Sequence, residues 1–382
     1  MKRLLIINNI PTPYRTFMFN KMYEVGKKYD IEVNLAYQAT KEPRRNWKPE
    51  DFKHLYPYYY SKTRNGKPRE FFTYGILNLD IIRDVVSSKF DYVMYAPFMS
   101  ITGWFCSLLP SKSQKILWSE SNLKSAGRMS LVVRMWKRIL LSGFKFMACP
   151  GINAQKYVYS IKPQMKSCSQ IHLPNLIDTS ILQSRISELK KERIKLRAEL
   201  AMPEDVIVIL GIGQMKSSKG FHLLIDAAKN IRGNFRIIIL GAGPLLDDWR
   251  MEAKQLNLTE KVYLPGYRHE SEIIKYYTTA DWFIHPALSD PSPLVCIESI
   301  FAGLPVAISK YTGNAPETVS DGLNGFLFDP LDSENFRETL QRIINTSIKQ
   351  RERMGQESLK LANKGFDPEK ILNIFFQKLA EN

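Results

Sequence analysis

Two carboxylates stand out by their setting: Asp290 and Glu298, with seven residues between them, lie in the stretch FIHPALSDPSPLVCIESIFAGLPVAISKYTGNAPE, residues 283–317. Trp282 to His285 and Pro305 to Ser309 are short apolar runs, and Leu294 to Ala302 has helical spacing closed by Gly303. The pattern predicts a strand, helix, strand unit. Its first loop holds Ser289, Asp290, Pro291, Ser292 and Pro293, so the helix starts with free N–H groups beside small residues, an arrangement suited to a phosphate. Glu298 falls two turns inside that helix. A buried carboxylate needs donors, and sugar or ribose hydroxyls are good ones. The spacing therefore points to a sugar phosphate. The residues alone leave open a plainer alternative, with Asp290 a helix-dipole carboxylate and Glu298 a solvated face residue.

A second constellation is the segment GIGQMKSSKG, residues 211–220, which follows an apolar run and opens a helical pattern. A dinucleotide fingerprint requires Gly at position 216, where Lys stands, and a P-loop requires Gly-Lys-Ser/Thr, which is absent. What remains is a glycine loop at Gly213 and Gln214 with a cation, Lys219, able to meet a diphosphate or else simply solvated. Gly241, Ala242, Gly243 and Pro244 make the next strand-to-helix turn.

Taken together, these segments resemble the retaining GT-B glycosyltransferases of family 4. Their hallmark is Glu, seven residues, Glu, then a small-residue Pro-Val segment; here Asp290, seven residues and Glu298 precede AGLPV and GNAPETVSDGLNGFLFDP. Asp290 departs from the pattern by one methylene. Lys219 matches the family's loop lysine, and Gln214 replaces an arginine often found five residues before it. The turn at Gly243 and the LPGY segment, 264–267, correspond to those beside the nucleobase. The resemblance implies a nucleotide diphosphate sugar as donor. Its diphosphate would meet Lys219 and the N–H groups of Leu294 and Val295, Glu298 would hold the ribose, and Asp290 the donor sugar's hydroxyls. It further implies chemistry without a metal or other cofactor, in keeping with the lack of an Asp-x-Asp pair.

Composition narrows the class. A 44% hydrophobic content with 12% aromatics describes a globular chain with room for two domains. The four cysteines (Cys106, Cys149, Cys168, Cys296) form no CxxC pair and the five histidines no HExxH pattern, so reduced thiols and no zinc site are expected. Lys2 and Arg3 precede only Leu4 to Ile7, too short for a signal segment, and no apolar run approaches the ~20 residues of a membrane span. Residues 1–177 carry 28 Lys and Arg against 11 Asp and Glu, whereas the rest is nearly balanced. That basic half points to an anionic partner. Nucleic acid is set aside because no nucleic-acid module is recognisable.

An α/β fold follows from the alternation of apolar runs and helical patterns. The first half gives strands at 3–8, 31–37, 92–96, 115–118 and 145–150, helices at 16–25 and 151–159, and a long helix over 125–146. Between Lys41 and Arg69 the chain is basic, tyrosine-rich and interrupted by Pro43, Pro49, Pro57 and Pro68, which reads as a substrate-side loop or a surface excursion. A charged helix over 188–200 and a second alternating series follow. The resemblance implies two doubly wound Rossmann-like domains facing a cleft: 1–178 for the acceptor, 179–365 for the nucleotide sugar, and a terminal helix, 366–382, crossing back to the first domain.

In the first domain Glu120 ends a predicted strand and could orient or deprotonate an acceptor hydroxyl, or serve as a capping or salt-bridged acid. Arg15, in the PTPYR loop, could meet a phosphate or form a structural salt bridge. Over 129–147 helical spacing gathers Arg134, Lys137, Arg138 and Lys145 against Val132, Trp136, Ile139 and Leu140. That is the pattern of a helix lying on an anionic membrane, or of an ordinary helix packed on its own sheet. The resulting expectation is a hexosyltransferase-type glycosyltransferase acting on a glycan or lipid-linked acceptor for cell-surface polysaccharide or lipopolysaccharide. It would be cytoplasmic and peripheral on the inner face of the cytoplasmic membrane. A nucleotide-sugar-binding protein without turnover stays open beside it.

Overall fold

The computed structural model describes residues 1–42, 52–87 and 89–381. The chain divides into two compact units, Met1–Ile177 with Pro368–Asn382, and Asp178–Asp367.

In the first unit seven parallel strands, β1 Lys2–Asn8, β2 Ile31–Tyr37, β3 Tyr58–Tyr60, β4 Tyr92–Tyr95, β5 Gln114–Trp118, β6 Phe144–Cys149 and β7 Ser169–His172, stand in the order β3-β2-β1-β4-β5-β6-β7. Parallel strands need helical crossovers that cover both faces, so the strands read as continuous apolar runs. Leu4 and Ile6 of β1 pack with Met18, Phe19 and Met22 on one face. Leu5 and Ile7 pack with Ile81, Val85 and Val158 on the other. The terminal helix Pro368–Ala380 completes the first of these layers with Phe375 and Phe376, both fully buried. The Tyr92 hydroxyl donates to the Leu379 carbonyl at 2.6 Å.

In the second unit six parallel strands, β8 Ile207–Ile212, β9 Phe235–Leu240, β10 Val262–Gly266, β11 Trp282–His285, β12 Val306–Ser309 and β13 Gly325–Phe328, run β10-β9-β8-β11-β12-β13. Each unit is therefore doubly wound, with its strand order reversing between β1 and β4 and between β8 and β11. In such sheets ligands bind beyond the carboxyl ends of the strands at that reversal.

Three local differences from the sequence reading have clear causes. The long helix expected over 125–146 is two helices and a strand: Leu123–Ala126, Leu131–Leu140 and β6. Gly127 at φ +65° and Gly143 at φ +82° stop it. Ser130 restarts the second helix by accepting from the Val133 amide at 3.3 Å. Lys145 consequently stands on β6, away from Arg134 and Arg138. The charged helix over 188–200 is also divided, into Thr179–Lys190 and Arg193–Glu199. Arg193 and Arg197 there pair with Asp281 at 2.9 and 3.3 Å, and docking on that carboxylate dictates the second helix's course. Part of the basic loop region became β3, and its residues 43–51 lie outside the described residues.

Phe376→Ala should lower stability by about 3–5 kcal/mol, the cost of emptying a large aromatic site in a packed core. Urea denaturation measures it, and an unchanged midpoint would show that the terminal helix contributes little to the first unit.

Candidate functional site

The reversal between β8 and β11 brings three loops together. The loop after β8 carries Gly213, Gln214 and Lys219, the loop after β11 carries Asp290, and the loop after β12 carries Thr312 and Gly313. Gly220, at φ +71°, lets the first approach the second: a Cβ there would lie 2.0 Å from the Pro286 carbonyl oxygen, so no other residue fits without displacement. The amides of Leu288 and Ser289 donate to the Ser218 carbonyl at 2.9 and 3.2 Å. From the third loop Gly313 N–H donates to the Asp290 carbonyl at 2.7 Å.

At this convergence Lys219 Nζ is ion-paired with Asp290 Oδ2, and His285 Nε2 lies 3.1 Å from the same oxygen. Asp290 is 8% exposed. Burial pushes its carboxyl up, but the His285 hydrogen bond and the Lys219 charge outweigh burial and hold it at about 2. His285, fully buried at the end of β11, is pushed down by burial and by Lys219. It is thus neutral, with its Nε2–H donating to Asp290. Oδ1 of Asp290 has no hydrogen-bond partner among the described residues, which leaves it able to accept from a ligand.

The next helix, Leu294–Phe301, has Pro293 at its N-cap and no side-chain cap. Its first amides, those of Leu294 and Val295, are open to an acceptor. One face of this helix presents Glu298, whose Oε2 accepts from the Tyr277 hydroxyl at 2.8 Å. Burial pushes the Glu298 carboxyl up, an effect the Tyr277 bond partly offsets. A carboxylate so placed gains from any further donor.

Along the ends of β8, β9 and β10 runs a cavity of about 340 Å³ that includes Gly213, Gln214, Gly241, Tyr267 and Arg268 in its lining. Gly243 bounds the same turn at φ +157°; a Cβ there would lie 2.5 Å from the Met215 carbonyl oxygen. The Met215 amide in turn donates to the Ala242 carbonyl at 2.9 Å, which locks the two glycine loops together.

Arg15 and Glu120 belong to the first unit, and each is the other's partner: Nη2 lies 2.5 Å from Glu120 Oε1. Arg15 is buried, with its guanidinium over the Trp118 ring at 4.1 Å. The two residues thus form an ion pair at the carboxyl ends of β1 and β5. The second unit gathers Lys219, Asp290, Glu298, Gly213 and Gln214 with the turn at Gly243 and the amides of Leu294 and Val295. Sequence reasoning passed over His285 and Tyr277. His285 closes the strand five residues before Asp290, a spacing that could have suggested contact. Tyr277 carried no signal, because its place against Glu298 depends on the packing of the helix Glu270–Thr279.

Residues 192–361 match the family model described as Glycosyl transferases group 1. That match lies wholly within the second unit. Among its relatives, the lipopolysaccharide core biosynthesis glycosyltransferase LpsE of Rhizobium meliloti is 28% identical over 186 residues, 48% of this chain and 53% of LpsE. The amylovoran biosynthesis glycosyltransferase AmsK of Erwinia amylovora is 28% identical over 165 residues, 41% of this chain and 40% of AmsK. Such matches span roughly two-fifths to half of the curated relatives' lengths. The crystal structure of Anabaena Alr3699/HepE in complex with UDP superposes over 100% of both chains with a TM-score of 0.75 at 18% identity. The likeness is one of fold, and the fold is the two-domain GT-B class.

Asp290 ionises at about 2 in the folded chain against 3.8 as an ordinary carboxyl. A depressed carboxyl stabilises the fold above its unfolded value, and that stabilisation is lost as pH falls from about 4 to about 2; it amounts to roughly 2–3 kcal/mol. In urea denaturation as a function of pH, Asp290→Asn should be less stable at neutral pH and flatter than wild type across that window. Equal slopes would exclude Asp290 as a buried ion.

Proposed function

We propose that the protein is a retaining glycosyltransferase that moves a hexose from a nucleotide diphosphate sugar to a glycan or lipid-linked acceptor, in the making of a cell-surface polysaccharide or lipopolysaccharide. The observation that carries this reading is the meeting of Lys219, Asp290 and the uncapped start of the helix Leu294–Phe301 at the β8/β11 reversal, beside a cavity wide enough for a base. LpsE and AmsK, by name, act in lipopolysaccharide core and amylovoran biosynthesis, and HepE was crystallised with UDP.

In this reading the base enters the cavity against Gly213, Gln214 and the turn at Gly243, and the ribose hydroxyls donate to Glu298. The diphosphate accepts from Lys219 Nζ and from the Leu294 and Val295 amides. As the sugar's bond to the diphosphate breaks, negative charge grows on the leaving oxygens, where fixed donors stabilise it most. Oδ1 of Asp290 accepts from a donor-sugar hydroxyl, while Oδ2 stays with Lys219 and His285. The pair thus aligns the lysine, and a phosphate arriving at Lys219 finds its desolvation already met. In the first unit Glu120 turns Oε2 to the acceptor hydroxyl, with Arg15 holding the carboxylate in place. The supply of negative charge by the substrate and positive charge by the protein requires no metal.

Glu298→Gln and Lys219→Met should each weaken binding of the donor by ~1.5–3 kcal/mol, about ten- to hundredfold, in titrations across UDP, GDP and ADP sugars. Glu298→Gln should at the same time leave the ligand-free chain as stable at neutral pH or more so, because an acid pushed up by burial is relieved of its charge. Wild-type affinity in both variants would overturn the assignment of the site. Turnover, read as nucleotide diphosphate released in a coupled assay, should persist in EDTA; loss of activity restored by magnesium or manganese would refute the metal-free mechanism. Donor binding with no release in the presence of acceptors would favour a binding protein instead.

A further inference from the structure

We propose that the helix Leu131–Leu140, with its neighbour Ile101–Leu108, is a docking surface for an anionic lipid bilayer. An ordinary surface helix turns its apolar stripe inward. This one does the reverse: of its ten residues only Leu140 is buried, and Val132, Met135, Trp136 and Ile139, which share one face, are 76, 66, 36 and 50% exposed. Trp136 meets Trp104 of the neighbouring helix edge-on, ring centroids 5.6 Å apart. Phe105 and Leu108 of that helix are exposed too. The Trp104–Trp136 contact thus joins two helices that each expose apolar side chains.

Charge decides what covers it. Arg134 and Arg138 stand one turn apart on the exposed helix, and neither meets a carboxylate among the described residues. Lys137 is differently employed, donating to the Tyr157 hydroxyl at 2.7 Å. Residues 101–177 hold eleven Lys and Arg against one acid, Glu120, which is spent on Arg15. A second copy of the chain would set these cations against themselves across a self-complementary contact. An anionic leaflet offers both an apolar layer for Met135 and Ile139 and headgroup phosphates for the arginines, with tryptophan at the boundary. The exposed helix begins eleven residues after Glu120, at the carboxyl edge of the sheet where β5 ends, so docking would bring that edge to the bilayer. This inference stands apart from the assigned transfer reaction, because it is tested without donor or acceptor.

The test is co-sedimentation of the full chain with vesicles of phosphatidylcholine alone or mixed with phosphatidylglycerol. Wild type should bind the mixed vesicles at about 50 mM salt, bind the neutral ones weakly, and lose most binding at about 500 mM, where surface charges are screened. Each cation at the surface strengthens binding about fivefold, so Arg134→Ser with Arg138→Ser should weaken it more than tenfold. Met135→Ser with Ile139→Ser should weaken it at all salt concentrations. All four positions are exposed, and unchanged melting by circular dichroism shows that the variants are folded. The proposal fails if wild type ignores anionic vesicles at low salt, if both double variants bind like wild type, or if gel filtration shows a dimer that Met135→Ser with Ile139→Ser dissociates.

Discussion

A carboxylate shut away from water has to be held by its own protein, and the second unit is arranged around that requirement at Asp290. One oxygen takes both Lys219 and His285, and the backbone carbonyl of the same residue takes the Gly313 amide. Removal of any of these would leave a buried polar group without its partner, which costs more than the interaction itself contributes. The loops after β8, β11 and β12 are therefore tied to one another through a single side chain and its main chain. The lysine is held at the strand reversal before any ligand arrives.

Glycine sets how closely these loops come. At Gly220 and Gly243 the backbone passes within contact of a neighbouring loop, with φ in the region open to glycine. The site is thus assembled from main chain as much as from side chains: the two amides opening the helix Leu294–Phe301 and the interlocked turns beside the cavity. Glu298 is the exception. Its charge is disfavoured by burial, and among the described residues the Tyr277 hydroxyl eases it. A strained acid at a site of this kind is what a ligand hydroxyl would relieve.

The first unit shares the topology but spends its charges differently. Arg15 and Glu120 satisfy each other, Lys115 is buried against the Ser107 and Leu109 carbonyls, and Arg134 and Arg138 stand on the helix Leu131–Leu140 that exposes its apolar face. Among the described residues no helix is long and apolar enough to cross a membrane, and a surface contact needs none.

Much of this was legible in the amino-acid order alone. The alternation of apolar runs and helical patterns announced two α/β units, since parallel strands covered on both faces must be apolar throughout, and the spacing of Asp290 and Glu298 around a small-residue loop pointed to a sugar phosphate while leaving a plainer reading open. Glycines at 127 and 143 were visible but not decisive: only the positive φ they adopt ended the helix expected over 125–146. Contacts between residues distant in the chain were beyond reach. That Lys219 meets Asp290 across 71 positions, that Arg15 meets Glu120 across 105, and that Tyr277 meets Glu298 follow from which strands lie side by side. The orientation of the Leu131–Leu140 stripe was equally undetermined, because periodicity tells which residues share a face but not which way the face turns. Sequence specifies local conformation through short-range sterics and solvation; partners are chosen by the packing of the sheet, where burial obliges each charge to find its opposite.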